Sequence, residues 1–245
     1  MDIDLHCHAK LSKKSQFSRS NFNNLIRAAL RSGFHAIAVT EHFNTSGFEK
    51  IYELMDSYPY IDDHYIIDGL KVFCGMEVDI KEGGHVAIIG KRDDVSSLHN
   101  VLSPNLNKEN YPSIDYLIKE AKKRNMIMIG AHSYRNNKSL SNLPDDILKQ
   151  LDFLELNGKD YKKSHMVMRL AQSLNMKVTA GSDTHYWLQM GCIRNRLNAE
   201  ANTIEELRKA LSKSNTIIIS PVIGLKVKAA AAVKKIMKQF QRVSF

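Results

Sequence analysis

The opening stretch MDIDLHCHAK places His6 and His8 on either side of Cys7. On an extended segment, side chains at i and i+2 point to the same face, so two imidazoles can converge on one point. Neutral imidazole is a ligand for zinc, manganese or iron. A lone His-x-His also occurs as a surface pair or a buried hydrogen-bonded one, and short motifs of this kind are weakly specific. Here further candidates follow one apolar run after another. AIAV leads into Thr40-Glu41-His42, VFCGM into Glu77 and Asp79, MIMIGA into His132, and KVTAG into Ser182-Asp183-Thr184-His185, while DFLEL carries Glu155 near its end. His85 opens the run HVAIIG directly after Gly83-Gly84. Of the ten histidines, His35, His64, His99 and His165 fall elsewhere and read as structural or solvent-exposed. Collecting about eight ionisable groups in one place is costly unless cations compensate them. Mixed histidine and carboxylate donors suit hydrolytic metal sites, where one carboxylate can bridge two ions.

The elements that must position these residues alternate in type. Strands are expected at Asp2–Leu5, His35–Thr40, Val72–Ile80, His85–Gly90, Met126–Ala131, Phe153–Leu156, Lys177–Ala180 and Thr216–Ser220. The pair around Glu82-Gly83-Gly84 reads as a hairpin. Helices are expected at Asn21–Ser32, closed by Gly33, and at Ser113–Asn125, Asp145–Gln150, Asp160–Asn175 and Gly224–Phe240. Another begins at Thr203-Ile204-Glu205-Glu206, a capping-box sequence. Strands alternating with helices predict a parallel sheet. Seven or so units fit a closed α/β barrel, in which chemistry gathers at the C-terminal strand ends. An open doubly wound sheet is the alternative, but no G-x-G-x-x-G or P-loop is present.

The chain of 245 residues, 43% of them hydrophobic, can bury a sizeable core. Three scattered cysteines argue against a disulfide scaffold and fit a cytoplasmic location. No membrane-spanning run and no secretory signal pattern is seen. The net charge is +9, and Pro221–Phe245 holds Lys226, Lys228, Lys234, Lys235, Lys238 and Arg242 with no acid. That segment reads as a solvated basic helix, with nucleic acid or an anionic membrane as partners it could serve.

The ordered set DLHCH, TEH, GME, HVAIIG, AHS, LEL-N and GSDTH resembles the PHP superfamily, named for polymerase and histidinol phosphatase. The resemblance runs from about Met1 to Pro221, and the combination in this order is its specific part. It implies a distorted seven-stranded (β/α) barrel over 1–221, followed by the basic helix of 222–245. It also implies two or three divalent ions (manganese, zinc or iron) and phosphoester hydrolysis. Carried onto matching positions, His6, His8, Glu77 and Asp183 would hold one ion. Glu77 would bridge to a second held by His85 and His132, and a third would sit near His42 and His185. Glu155 would support a ligand from behind. Two departures stand out. Where many members have an acid or histidine after the His-x-His, Lys13 or Lys14 stands here, and Ser133 replaces a proline. A lysine at that place, like Arg135, Arg194 or Arg196, could hold a substrate phosphate.

The expected activity is hydrolysis by a metal-activated water, with Arg135 neutralising phosphoryl charge and His42 or His185 protonating the leaving group. A small phosphomonoester is the first expectation, since the chain offers little surface for a long polymer. Phosphodiester cleavage in nucleotides or short oligonucleotides is the alternative, favoured by the basic segment. A non-catalytic metal-binding module is a further reading, and so is C–N hydrolysis. The latter usually needs a carboxylated lysine on a strand, and none is placed for it.

Overall fold

The structure, a computed structural model, describes residues 1–135 and 139–243, with backbone alone for Asn105 and residues 238–243. The side chains of Lys238 and Arg242 therefore lie outside the described residues. In chain order the elements are β1 (Asp2–Cys7), α1 (Arg19–Arg31), β2 (Ala36–His42), α2 (Phe48–Met55), β3 (Tyr60–Ile61), β4 (His64–Ile67), β5 (Leu70–Asp79) and β6 (His85–Gly90). There follow α3 (Arg92–Leu102), α4 (Ile114–Lys123), β7 (Ile127–Ala131), α5 (Asp145–Leu148), β8 (Phe153–Asn157), α6 (Ser164–Leu174) and β9 (Lys177–Gly181). The chain ends with β10 (Ile193–Leu197), α7 (Ile204–Ser214), β11 (Asn215–Ile219) and α8 (Ile223–Val243).

Seven strands form the wall in the order β1-β2-β5-β6-β7-β8-β9. The wall nearly closes where the chain leaves β9. Asp183 N donates to His6 O and His8 N to Thr184 O, each at 2.8 Å. The open-sheet alternative is thereby set aside. The sheet is mixed rather than parallel throughout, because β6 runs antiparallel to both β5 and β7. The Gly83-Gly84 hairpin causes this, and φ of +97° at both glycines is a conformation that side-chain-bearing residues resist. Its consequence is that β6 starts where the other strands end, which brings His85 to the same mouth.

Each strand alternates between two apolar layers. Ile3, Leu5, Ala36, Ala38, Phe73 and Phe153 fill the barrel interior, and α7 closes that layer with Leu207 and Leu211. The opposite faces carry residues such as Val39, Cys74 and Leu154, packed among helix residues including Phe22, Leu25 and Leu117. Helix starts follow the expected chemistry. Ser18 and Ser113 accept from the backbone of Asn21 and Tyr116, and Thr203 and Glu206 form a complete capping box. Gly33 takes the left-handed conformation that ends α1. Asp160–Asn175 is a 3-10 turn followed by α6, not one helix.

β10 and β11 lie across the seam between β1 and β9. The fully buried Asn195 stitches it: Nδ2 donates to Ala180 O (2.7 Å) and Ile3 O (3.2 Å), and Oδ1 accepts from Ala180 N (2.8 Å). Asn195→Leu leaves these backbone groups unpaired in a dry place. A loss of about 3 kcal/mol is expected, a fall of roughly 10 °C in Tm by thermal unfolding. An unchanged Tm would show that the seam is held elsewhere.

Candidate metal centre

A β-bulge aims the first two histidines. On β1, Ile3 and Asp4 pair with Ala36 and Ile37, but the next pair is Cys7 with Val39. The extra residue reverses the strand's phase. Ile3 and Leu5 face the interior, then Cys7 joins Val39 in the outer layer, and His6 and His8 turn into the mouth. Two other candidate ligands sit in strained backbone, His132 at φ +33° and Asp183 at φ +54°. Such conformations concentrate at functional sites because the surroundings must enforce them.

The donor atoms converge as a coordination shell would require. His6 Nε2 lies 3.1 Å from His8 Nε2, and His8 Nε2 lies 3.2 Å from Asp183 Oδ1. Glu77 Oε2 is 3.6 Å from the first nitrogen and 3.5 Å from the second. The other oxygen, Glu77 Oε1, is 2.8 Å from both His85 Nδ1 and His132 Nε2, which are 3.2 Å apart. Donors about 2.1 Å from a shared ion stand about 3.0–3.4 Å from one another. Glu77 thus faces two donor sets at once. Its Oε2 and His42 Nδ1 are buried without a hydrogen-bond partner although only 2.8 Å apart. A cation beside both atoms would satisfy them together. The residues fit divalent ions on this ground. A third group, His8, His42 and His185, has donor atoms within 4.8 Å of one another. Yet His8 has one free nitrogen, since Nδ1 faces Glu41 Oε1 at 3.3 Å. Used in the first set, it leaves the third to His42 and His185.

Carboxylates hold the far nitrogens of three ligands. Glu155 Oε1 is 2.6 Å from His6 Nδ1, Glu41 Oε1 faces His8 Nδ1, and Asp79 Oδ1 is 2.9 Å from His85 Nε2. This fixes ring orientation and tautomer and raises ligand basicity. Glu41 and Asp79, both at the ends of apolar runs, and Asn157, the last residue of the LEL-N set, take supporting places rather than ligand places. Period-two alternation reaches two of them, since Asp79 follows Glu77 by two and Asn157 follows Glu155 by two. Glu155 also accepts from His132 N and from Asn157 Nδ2.

Charge within the cluster splits the histidines into two classes. Burial depresses His42 to about 4, depresses His132, and drives His185 far below the usual imidazole value, with the charge of His8 adding to the effect at His42 and His185. For His6, His8 and His85 burial acts the same way but loses to carboxylates. Glu155 and Glu77 raise His6, Asp183 and Glu41 raise His8, and Glu77 and Asp79 lift His85 to about 9. Burial would raise Glu77 and Asp183, but neighbouring cations hold both well below the usual carboxylate range. For Glu77 these include His85 and His6, and for Asp183 they include Lys159 and Arg135.

Three cations rim the mouth. Lys13 pairs with Asp79, Lys159 Nζ lies 2.8 Å from Asp183 Oδ1 and 3.1 Å from His185 Nδ1, and Arg135 Nη1 donates to Asp183 Oδ2 at 2.7 Å. Arg135 also donates to Asp160 and Asn157. Lys159 is a residue the sequence reading missed. Lys14 is exposed and has no described side-chain bond to the cluster. Arg194 is not brought to the site. β10 runs antiparallel to β1, so Arg194 meets Asp2 and Ser32 O at the start of β1, about 20 Å of strand from His8. Arg196 also pairs with Asp2. The expectation that either holds substrate phosphate is corrected by this placement.

Gly181 ends β9 directly beside the first ligand. A Cβ there would collide with Glu155 Oε1 and His6 Cβ. Gly181→Ala is expected to displace the Glu155–His6 pair and cost about 10–100-fold in metal affinity. Metal titration followed by calorimetry reads this directly, and unchanged affinity would deny Glu155 its supporting role.

Comparison with known proteins places these features together. A family model described as PHP domain matches residues 4–161, and one described as PHP-associated matches residues 164–216. Comparison with curated protein sequences gave no match. Among solved structures, PsfC from Pseudomonas syringae PB-5123 superposes with a TM-score of 0.80 at 18% identity, covering 96% of this chain and 98% of that one. The lesion-specific endonuclease PfuEndoQ from Pyrococcus furiosus gives 0.67 at 23% identity, over 89% of this chain and 57% of its own length. A two-domain protein from Bacteroides vulgatus ATCC 8482, containing a predicted PHP-like metal-dependent phosphoesterase, gives 0.60 at 18% identity, over 89% and 64%.

Proposed function

The chain belongs to the PHP family, and from that premise we propose that it is a metal-dependent phosphoesterase whose preferred substrate is a small phosphomonoester. The observation that carries this reading is the pair of donor sets facing the two oxygens of Glu77. His6, His8, Glu77 and Asp183 would hold one divalent ion, Glu77, His85 and His132 a second, and His42 with His185 a weaker third. Manganese, zinc and iron all suit this donor set. Such ions, when bound, lower the pKa of a water and neutralise phosphoryl charge. The chain itself does the rest. Glu155, Glu41 and Asp79 fix the imidazoles. Arg135 and Lys159 hold Asp183 in place and stand where phosphoryl oxygens would arrive, with Lys13 across the mouth. His42 and His185, kept neutral by burial, are better suited to ligation than to proton donation.

In this reading residues 1–221 carry the chemistry and 222–245 form an accessory helix. The second reading is phosphodiester hydrolysis in nucleic acid. It is supported by the shared fold of a related endonuclease Q, solved with a 27-mer duplex carrying an abasic lesion, and by the basic helix.

The deciding experiment measures metal content by mass spectrometry on protein purified without chelator, then turnover of monoesters, diesters and short oligonucleotides. Two or more equivalents with monoester turnover support the proposal. A protein that stays empty after incubation with manganese, zinc or iron removes it. Lys159→Ala is expected to raise KM about tenfold or more with a smaller change in kcat, as removal of a charged substrate contact does. A kcat loss at unchanged KM would place Lys159 in the chemical step instead.

A further inference from the structure

A second cavity shares no residue with the histidine cluster. It is a cleft of about 440 Å³ between α1 and α8, with Trp187, Leu188 and Leu225 among its apolar lining and Arg27, Arg31 and Lys226 among its polar lining. The helix beside it is apolar on two faces. The inner face, Ile223, Val227 and Ala230, packs on the barrel, and Lys226 Nζ donates to Met190 O. The outer face carries Leu225, Ala229, Ala232 and Ile236, spaced by three and four residues over about 17 Å of helix, and Val222 continues the row in the turn just before it. Leu225 is 70% exposed and Ile236 51%. Lys228 and Lys235 are exposed beside this row, and Arg27 and Arg31 are exposed across the cleft.

The charge pattern selects the occupant. No acid occurs between Pro221 and Phe245, so two copies of α8 laid together would set lysine against lysine. An exposed apolar row flanked only by cations, with an aromatic residue at its edge, is the pattern of a helix lying in an anionic lipid interface. No helix among the described residues is long and apolar enough to cross a membrane. We propose that the outer face of α8 and the facing side of α1 dock on an anionic phospholipid bilayer, with Leu225, Ile236 and Trp187 entering the interface and the flanking lysines and arginines contacting headgroup phosphates. This inference stands apart from the phosphoesterase reading.

The test is sedimentation of the full chain with vesicles of phosphatidylcholine alone and of equal parts phosphatidylcholine and phosphatidylserine. Trp187, the single tryptophan, serves as an emission reporter. Binding to the mixed vesicles only, weakened by salt and accompanied by a blue shift, is expected. Arg27→Glu with Arg31→Glu should lower partitioning more than about tenfold, and Leu225→Asp with Ile236→Asp should lower it comparably. Both double variants keep metal content and turnover of a soluble substrate. No binding, or equal binding to neutral vesicles, overturns the proposal. So does an oligonucleotide that binds more tightly than the mixed vesicles and is unaffected by the Leu225 and Ile236 changes, which would make α8 a nucleic-acid contact.

Discussion

Glu77→Gln is expected to abolish the proposed turnover, lowering kcat/KM by more than about 10³-fold, equivalent to about 4 kcal/mol of transition-state stabilisation. The substitution keeps the shape of the side chain and removes only its charge. No other carboxylate among the described residues has its two oxygens facing two histidine sets, so no described neighbour takes its place. Metal content should fall below one equivalent, because both sets lose their shared anion. The strand should persist, since β5 is held by backbone pairing to β2 and β6 over most of its length. Circular dichroism separates loss of ligand from loss of fold. Retention of two ions and of turnover would mean that Glu77 is a structural counter-charge and would sink the bridging assignment.

The second large effect is a reversal of pH dependence on metal loading. In the metal-free chain, His6, His8 and His85 have pKa values raised above the unfolded value of 6.5, His85 to about 9. Their stabilisation is complete below pH 6.5 and disappears as pH rises through the folded values. His42, His132 and His185 are depressed, His42 to about 4, so their contribution is present above pH 6.5 and lost as pH falls. Metal-free stability should therefore peak near pH 6.5 and fall by several degrees in Tm toward pH 9. Metal binding must expel the protons from His6, His8 and His85, so affinity should rise over the same interval. Thermal unfolding against pH, with and without manganese, reads both trends. Calorimetry in buffers of different ionisation enthalpy counts the protons released. A flat metal-free profile from pH 6.5 to 9 would show that these histidines carry no second ring proton in the folded chain.

The sequence by itself determined the chemistry available. Period-two spacing put His6 and His8 on one face, and apolar runs ending in His42, Glu77, His132 and Asp183 put a ligand at each of several strand ends, because a strand buried on both faces must be apolar until it reaches the mouth. The capping box at Thr203 and the glycine ending α1 were legible because they are local. α2, α3 and the β3–β4 hairpin were not found. Nor was β10, whose sequence IRNRL hides its pattern. Arg194 and Arg196 face Asp2, while Asn195 occupies a core position that only the β1–β9 seam explains. Arg194 looked like a phosphate contact until the antiparallel course of β10 carried it to the far end of β1. Lys159 gave no signal, because its role depends on the turn after β8 bringing it to Asp183 from 24 residues away. Only the tertiary structure decided which face of β1 looks into the barrel, through a one-residue bulge that pairing with β2 imposes. It also decided how one carboxylate on β5 meets histidines from β1, β2, β6 and the end of β7. Ligand types are set residue by residue, whereas their convergence depends on strand register and direction, which are fixed only when the wall closes.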